Sequence, residues 1–348
     1  MNKVSRRDFI KLSGLALGSL AFLPTTDGYP RNETPLPIGI ARVTIREIDI
    51  FKEPSADSEV IDVLKRNELF PIYEELNYVY PDYTNSPRWY RLDHGFAASS
   101  YTQRVDDRCL HEPVYWFPKT GQLGEISVPY TRSYRYTDAY GWQPVYLLYY
   151  QSAHWIMDVD EGPDKRPWYK ILDELLHIEY FVPATHMRVI HPDELTPISP
   201  EVPWEAKRVE VNLLDQKLTA YEGDQVVLHT LVSTGIPNMN LPGQIPTATP
   251  KGSFNVRVKM PSKHMGDGNL TDDITAYELP GVPWNCFFHE TGVATHGTYW
   301  HHNYGRKMSH GCVNMTPEEA KWLYRWTLPE STEEIWEQRG FGTPVYVT

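Results

Sequence analysis

Residues 305–315 read GRKMSHGCVNM and place a serine, a histidine, a glycine and a cysteine in consecutive positions, ending at Cys312. A thiol attacks a carbonyl group only as the thiolate, and a free cysteine is mostly protonated at neutral pH. A nucleophilic Cys312 therefore needs an imidazole within hydrogen-bond reach. His310 lies two positions before it, and His296 lies sixteen positions before it, where a hairpin or loop can bring it close.

The glycine in this stretch bears on how the backbone can take part in the chemistry. Gly311 has no side chain, so the backbone can come close to a reacting carbonyl group. The N–H groups of His310, Gly311 and Cys312 can then stabilise a developing oxyanion, and replacement of side chains would not remove these donors.

The first 27 residues have the pattern of an export signal. A basic segment precedes an apolar run from Leu12 to Leu23, which is too short to span a bilayer comfortably. SRRDFIK at 5–11 also resembles the twin-arginine export signal. We predict an extracytoplasmic protein of the cell envelope, with no integral membrane domain beyond the signal segment. Retention of that segment as an N-terminal anchor stays open.

Charge and cysteine count narrow the choice of partners. Residues 28–348 contain 29 Lys and Arg against 43 Asp and Glu, a formal net charge of −14. This balance argues against nucleic acid and against adhesion to anionic lipid. Three cysteines cannot all pair internally, so at least one is left over, and the sequence does not say whether Cys109 and Cys286 are bonded.

The chain after the signal divides into three blocks. Residues 38–105 alternate short β-type runs with turn clusters, and residues 106–201 repeat part of that pattern. The repeat is clearest at Trp89-Tyr90 and Trp168-Tyr169, which stand 79 residues apart, so we predict two copies of one small domain. Both copies resemble bacterial SH3-like domains, which are small β-barrels.

The third block follows a proline-rich linker at 196–205. It begins with further β-type runs, and EGD at 222–224 predicts a hairpin turn between two of them. Thr316, Pro317 and Glu319 predict a helix, because they supply an N-cap, a proline in the first turn and a capping-box glutamate. The predicted class is mostly β with one or two late helices.

Several separated motifs in this block resemble the signature of the L,D-transpeptidase catalytic domain, a family that cross-links or trims bacterial cell-wall peptides. They are HG at 296–297 and SHGCVN at 309–314, preceded in the family's order by VSTG at 232–235 and TPKGSF at 249–254. The resemblance covers residues 206–348. It implies a β-sandwich-like fold with a flap over the cleft, which we place at 260–283.

The resemblance also implies roles for individual residues. Cys312 would be the nucleophile and His296 the general base, held by the backbone carbonyl of Gly297. His310 and Gly311 would shape the loop and the oxyanion hole.

Three further residues complete the predicted site. Ser309 and Asn314 would fix the loop by hydrogen bonds, although relatives often carry Arg at the position of Asn314. Trp300 is predicted to bind substrate, with His301 and His302 on the substrate side or at the surface.

The implied reaction is acyl transfer between peptidoglycan stem peptides. Cys312 would take the acyl group from the L-centre of a diamino acid, and an amine of a neighbouring stem would resolve the thioester, giving a cross-link. With water as acceptor the enzyme would be an L,D-carboxypeptidase. A cell-wall-binding protein with a relict catalytic domain is a third possibility. No cofactor is implied, because thiolate, imidazole and backbone amides supply the chemistry.

Two other interpretations of the cysteine stay open. One is a zinc site, because histidine with cysteine is a common ligand set. The candidate ligands would be His296, His301, His302, His310 and Cys312. The spacings match neither a helical HExxH nor a paired CxxC motif, and no carboxylate stands in the run. The other interpretation is an inert buried cysteine beside solvent-facing histidines.

We therefore predict that activity is independent of metal. Strong chelators should leave the turnover rate unchanged, and metal analysis of the purified protein should find no stoichiometric zinc. One tightly held zinc ion per chain, lost together with activity, would instead support the ligand-cluster interpretation.

Overall fold

The computed structural model describes residues 36–77, 88–106, 109–238, 246–271, 278–332 and 334–348. The predicted export signal, residues 1–27, lies outside these ranges. Residues Pro37–Thr348 form one compact unit. Its described part is mostly β, as predicted, with one α-helix. No helix within the described ranges is long and apolar enough to cross a membrane.

The first block contains two antiparallel sheets, ordered β4-β1-β8 and β3-β2-β7-β6-β5. Its core holds Ile50, Phe70 and Tyr90, all buried. The strands are β1 (Gly39–Val43), β2 (Glu47–Phe51), β3 (Val60–Lys65), β4 (Leu69–Ile72), β5 (Glu74–Asn77), β6 (Arg88–Arg91), β7 (Phe96–Ala98) and β8 (Thr102–Val105), with a 3₁₀ helix at Ser99–Tyr101.

The second block forms one seven-stranded sheet, ordered β11-β10-β14-β13-β12-β9-β15. The strands are β9 (Gln122–Ile126), β10 (Tyr130–Thr137), β11 (Gly141–Tyr149), β12 (Ala153–Glu161), β13 (Pro167–Leu172), β14 (Glu179–Pro183) and β15 (Met187–Val189), with 3₁₀ helices at Ala184–His186 and Pro192–Leu195.

The two Trp-Tyr pairs occupy equivalent places in these blocks. Trp89-Tyr90 lies in β6 and Trp168-Tyr169 in β13, and all four side chains are buried. Each pair is followed by a strand, a 3₁₀ turn and a closing strand, in that order. The internal repeat therefore has a counterpart in the order of elements. The resemblance of both copies to SH3-like domains stays a prediction.

The third block contains two five-stranded sheets, ordered β18-β17-β16-β25-β19 and β23-β22-β21-β20-β24. The EGD turn joins β17 to β18 as predicted. The β-type run before this turn contains two strands, β16 and β17, which pair with each other as a hairpin. The elements are a 3₁₀ helix at Trp204–Ala206, β16 (Lys207–Asn212), β17 (Lys217–Glu222), β18 (Gln225–Leu231), β19 (Gly252–Asn255), β20 (Val258–Gly266), β21 (Glu278–Phe287), β22 (Ala294–Gly297), β23 (Val313–Met315), α1 (Pro317–Trp326), β24 (Gln338–Arg339) and β25 (Pro344–Val347).

The core of the third block continues into the second. Leu123 and Trp155 belong to the same cluster of buried side chains as Val211 and Leu323. The ring of Trp155 stacks on that of Trp336, with centroids 4.7 Å apart and planes 3° from parallel. Separation of the two blocks would expose this apolar surface to water at a cost in free energy. The proposed domain limits at 105/106 and 201/206 stay a prediction.

The helix α1 begins where the sequence predicts, because Thr316 caps it. The Thr316 hydroxyl accepts a hydrogen bond from the N–H of Glu319, and a proline occupies the first turn. At the C-terminal end of α1 two buried lysines donate hydrogen bonds to backbone carbonyls, where a positive charge interacts favourably with the helix dipole. Lys207 donates to Trp326 O at 3.1 Å and Lys259 to Thr327 O at 2.7 Å. Burial lowers the pKa of Lys259 to about 8.

A buried ionic trio joins the second block to the third. His264 in β20 contacts Asp173 through Nδ1 at 2.8 Å and Glu278 through Nε2 at 3.0 Å, and all three side chains are at most 3% exposed. Next to them Lys263 pairs with Glu174 at 2.8 Å. Burial opposes protonation of His264, but its hydrogen bonds to the two carboxylates outweigh burial and raise its pKa.

We predict that this trio makes stability depend on pH. Since the folded-state pKa of His264 lies above its unfolded value of about 6.5, the stabilisation is complete below that value and is lost as pH rises through the raised folded pKa. His264→Gln should lower the free energy of unfolding by about 3 kcal/mol near pH 6, and by less at pH 9.

Urea unfolding of both proteins from pH 5 to 9 measures this difference. The side chain of the exposed His229 bonds to the hydroxyl of Thr219, so His229→Gln provides the control and should change little. A difference between wild type and His264→Gln that stays constant across this pH range would contradict the prediction.

Candidate active site

The SHGC loop is held in place by the VSTG segment. Ser233 and Asn314 exchange two backbone hydrogen bonds, of 3.0 and 2.9 Å. The carbonyl of Thr234 accepts from the N–H groups of Met308 and Ser309, at 3.0 and 3.1 Å. Two motifs about 75 residues apart in sequence therefore form one backbone unit.

A single hydroxyl connects this unit to the TPKGSF segment. The Thr249 hydroxyl accepts from the N–H of Gly235 at 2.8 Å and donates to the carbonyl of Gly311 at 2.7 Å. Gly235 has no room for a side chain, because a Cβ there would lie 2.1 Å from the carbonyl oxygen of Thr247. The close approach of these three segments thus requires glycine at 235.

Ser309 closes the loop on itself. Its hydroxyl donates to the carbonyl of Cys312 at 2.5 Å and accepts from the N–H of Gly311 at 3.1 Å. Gly311 has a φ of +127°, which residues with a side chain rarely adopt. The N–H of Gly311 is thus already engaged, whereas that of Cys312 makes no hydrogen bond within the described part of the chain.

His296 lies on β22 and pairs in register with Asn314 of β23, the parallel strand that directly follows the loop. Its Nδ1 lies 2.9 Å from the carbonyl oxygen of Gly297. A carbonyl only accepts, so Nδ1 carries the proton and Nε2 keeps a lone pair. Burial lowers the pKa of His296 to about 4. The Trp300 ring lies 5.8 Å from the imidazole, tilted by 37°.

Cys312 is half-buried, with its Sγ 3.9 Å from the carbonyl oxygen of Gly292. Burial raises the pKa of its thiol, and a hydrogen bond from the backbone of Ala294 opposes that shift only in part. Because the thiol pKa is raised and the imidazole pKa lowered, Cys312 and His296 are both neutral at rest. Little thiolate is therefore present at neutral pH.

Asn314 contacts His301, which is not at the surface. Asn314 Nδ2 and His301 Nε2 are 2.8 Å apart, and His301 is 2% exposed, with a pKa lowered by burial to about 3. His302 Nε2 lies 3.0 Å from a guanidinium nitrogen of Arg88. His301 thus fixes Asn314 behind the loop.

The SHGC loop borders a cavity of about 560 Å³. The residues of the predicted site whose side chains line this cavity are the following: His296, Trp300, Ser309, His310, Cys312 and Asn314. His310 is exposed on the wall. Gly297 and Gly311 act through their backbone, as described above.

Other parts of the cavity wall come from residues that sequence reasoning missed. Arg42, Arg46 and Arg66 come from the first block, and Tyr149 comes from the second. No motif marks them, and at least 145 residues separate each from the loop.

The predicted flap, residues 260–283, forms strand at both ends. Residues 260–266 belong to β20 and residues 278–283 to β21, and these strands pair as an antiparallel hairpin. Residues 272–277 lie outside the described ranges. Met265 and Glu278 from the hairpin line the cavity, so this segment does border the cleft.

The described residues bear on both alternatives for Cys312. Among them no cluster of three or more His, Cys, Asp or Glu side chains suited to a metal ion occurs. Cys109, Cys286 and Cys312 form no disulfide with one another, and Cys286 is fully buried.

Comparison with known proteins identifies the third block. Residues 206–347 match the family model of the L,D-transpeptidase catalytic domain. A Bacillus subtilis protein, YciB, whose name assigns it provisionally to the L,D-transpeptidases, is 24% identical over 152 residues, covering 39% of this chain and 68% of its own. The resemblance predicted from the motifs is thereby confirmed for this part of the chain.

Solved structures of the same kind are also similar. A cysteine-to-serine mutant of the Enterococcus faecium L,D-transpeptidase is 27% identical with a TM-score of 0.31, and the match covers 41% of this chain and 50% of that one. The catalytic domain of the E. faecium L,D-transpeptidase, solved by NMR, is 29% identical with a TM-score of 0.30, covering 41% of this chain and 96% of that one. The chain thus spans about half of the larger E. faecium structure.

We predict that His296 governs the reactivity of Cys312. His296→Gln should slow alkylation of Cys312 by iodoacetamide at pH 7 by about a hundredfold or more, the range for loss of a general base. In the wild type the rate should fall as pH drops through about 4, where the imidazole gains its proton. His296→Gln should lack that limb.

The labelling rate is measured by mass spectrometry of the Cys312 peptide between pH 3 and 9. His229→Gln, which changes a histidine far from the cavity lining, controls for general effects. A profile shared by wild type and His296→Gln would disprove the pairing.

Proposed function

We propose that this chain is a cysteine-dependent acyltransferase, a peptidoglycan L,D-transpeptidase that cross-links stem peptides through a thioester on Cys312. One observation carries the proposal: Cys312 and His296 line the same cavity, and the 2.9 Å hydrogen bond to Gly297 leaves the lone pair on Nε2 of the imidazole. The family match of residues 206–347 supports the same chemistry.

The first half-reaction forms the thioester. As Sγ of Cys312 attacks the carbonyl carbon at the L-centre of the donor's diamino acid, Nε2 of His296 takes the thiol proton. The N–H of Cys312 donates to the oxyanion. When the C–N bond breaks, the imidazolium returns its proton to the departing amine of the terminal D-residue. Because the imidazole has a pKa of about 4, it gives that proton up readily.

The second half-reaction restores the thiol. An amine on a neighbouring stem attacks the thioester carbonyl, His296 takes a proton from that amine, and the resulting imidazolium gives this proton to the departing thiolate as the C–S bond breaks. The product is an amide bond between two stems. Water in place of the amine would release a shortened stem instead, which is the carboxypeptidase alternative.

The wall of the cavity is assembled from all three blocks, and a volume of about 560 Å³ is in the range of sites that enclose most of a ligand. A wall-binding protein with a relict catalytic block has less support, because thiol and imidazole are both present in one cavity.

The site of action follows from the substrate. Stem peptides lie outside the cytoplasmic membrane, so we propose an extracytoplasmic location in the cell envelope. The signal-like residues 1–27 agree with that proposal at the level of sequence.

We predict that Cys312 carries the acyl group. Incubation of the wild type with tetrapeptide muropeptides should give an acyl-enzyme adduct on Cys312 and cross-linked products, both seen by mass spectrometry. Cys312→Ala should form neither while keeping the thermal unfolding midpoint of the wild type. Cys109→Ala, which removes another half-buried thiol, is the matched control and should keep full activity.

The products separate the three candidate functions. Tripeptides without cross-links would mean a carboxypeptidase. Binding to isolated cell wall with no adduct on any thiol would favour the relict domain and end the proposal of acyl transfer.

A further inference from the structure

The cavity has a cationic wall in an acidic protein. Residues 28–348 carry a net charge of −14, yet three arginines of the first block line the cavity that holds Cys312. Arg42 lies on β1, Arg46 in the turn after it, and Arg66 in the turn after β3. The two turns are joined by a hydrogen bond of 2.9 Å from the N–H of Arg66 to the carbonyl of Arg46.

None of the three guanidinium groups pairs with a carboxylate within the described part of the chain. Arg42 is 1% exposed, and its hydrogen-bond partners among the described residues are all neutral: Asn67 Oδ1 at 3.0 Å, Gln103 Oε1 at 2.7 Å, and the carbonyls of Tyr299 at 3.1 Å and Val43 at 3.4 Å. Burial lowers its pKa to about 10, so it is still a cation at neutral pH.

The other two arginines have donors to spare. Arg66 is half-buried, donates one hydrogen bond to the Tyr149 hydroxyl, and has a buried Nε without a partner among the described residues. Arg46 is exposed, and no hydrogen bond of its side chain occurs in those ranges. Arg42 and Arg66 lie over the same ring, that of Tyr149, at 4.1 and 5.7 Å.

A short series of contacts connects Arg42 to His296. Arg42 bonds to Tyr299, the Tyr299 ring lies 5.0 Å from that of Trp300, and Trp300 lies 5.8 Å from His296. Glu278 is a carboxylate on the same cavity wall, but His264 and the N–H groups of Gly268 and Asn269 already occupy it.

Two like charges over one ring, without a counter-ion, are unfavourable until an anion joins them. Guanidinium groups bind carboxylates through paired, charge-assisted hydrogen bonds. We propose that Arg66 and Arg46, backed by Arg42, form a subsite for a carboxylate of the substrate. The inference rests on the proposed function, in which the terminal D-residue of the donor carries such a carboxylate next to the bond that breaks.

The test compares peptide donors that differ only in this charge. Donors ending in a free carboxylate or in the amide are given to the full chain, and acylation of Cys312 is followed without acceptor. The wild type should prefer the acid by about tenfold in kcat/KM, the scale of one charged hydrogen bond. Arg66→Gln and Arg46→Gln should abolish that preference. Arg91→Gln, which removes a surface arginine paired with Glu74, should keep it.

A second arm varies a carboxylate on the acceptor in the same way. If Arg66→Gln weakens use of the acidic acceptor but not of the acidic donor, the subsite holds the acceptor's carboxylate. If the variants change neither acid-to-amide ratio, the subsite is disproved while cross-linking activity stands. Arg42 is not replaced in this test, because removal of a buried side chain with several hydrogen bonds would disturb folding directly.

A third arm needs no peptide. Iodoacetate and iodoacetamide differ mainly in charge, so the ratio of their rates with Cys312 reports recruitment of a carboxylate. This ratio should exceed that of free cysteine in the wild type and in Arg91→Gln, and fall in Arg66→Gln and Arg46→Gln. If no stem peptide reacts but the ratio behaves in this way, the proposed function fails and the subsite stands. Equal ratios in all four proteins would overturn the subsite.

Discussion

The hydroxyl of Thr249 makes two hydrogen bonds, and the geometry of the whole site depends on them. It accepts from Gly235 and donates to the carbonyl of Gly311, so three segments distant in sequence meet at one oxygen atom. The positive φ of Gly311 then turns the loop so that Ser309 can close on the carbonyl of Cys312. A buried donor or acceptor without its partner is costly, which gives this arrangement little freedom to drift. Cys312 is therefore positioned by backbone and hydroxyl groups rather than by packing of its own side chain.

The cavity around that loop is a product of long-range packing. The third block supplies thiol and imidazole, but the first block supplies Arg42 and Arg66, and the second supplies Tyr149. Several contacts keep these parts together, among them the bond from Arg42 to the carbonyl of Tyr299, the stack of Trp155 on Trp336 and the ionic trio around His264. The first two blocks thus shape the cavity around Cys312 in the third block.

How much the sequence could predict depends on how far apart in the chain the interacting residues lie. The start of α1 was predictable because Thr316, Pro317 and Glu319 act within one turn. The two Trp-Tyr strands were predictable because a repeat marks them. The roles given to Cys312, His296 and Gly297 came from resemblance to a family, and the hydrogen bond from His296 Nδ1 to the carbonyl of Gly297 agrees with the role given to His296. These roles nevertheless stay predictions until activity is measured.

The remaining features depend on contacts that no local pattern encodes. His301 was predicted on the substrate side or at the surface; it lines the cavity, and the fold also buries it against Asn314. The flap predicted at 260–283 borders the cleft, and cross-strand pairing makes its described ends two strands. The arginine wall was invisible for the same reason, because Arg42 and the loop meet only after the chain has folded.

The neutral state of the resting thiol and imidazole has one more consequence, for chemical damage. Peroxides oxidise the thiolate far faster than the thiol, and oxidation beyond the sulfenic acid is irreversible for most cysteines. Since burial raises the pKa of Cys312 and lowers that of His296, little thiolate exists in the resting state. The same neutral state that keeps Cys312 unreactive at rest therefore also protects its sulfur from oxidation.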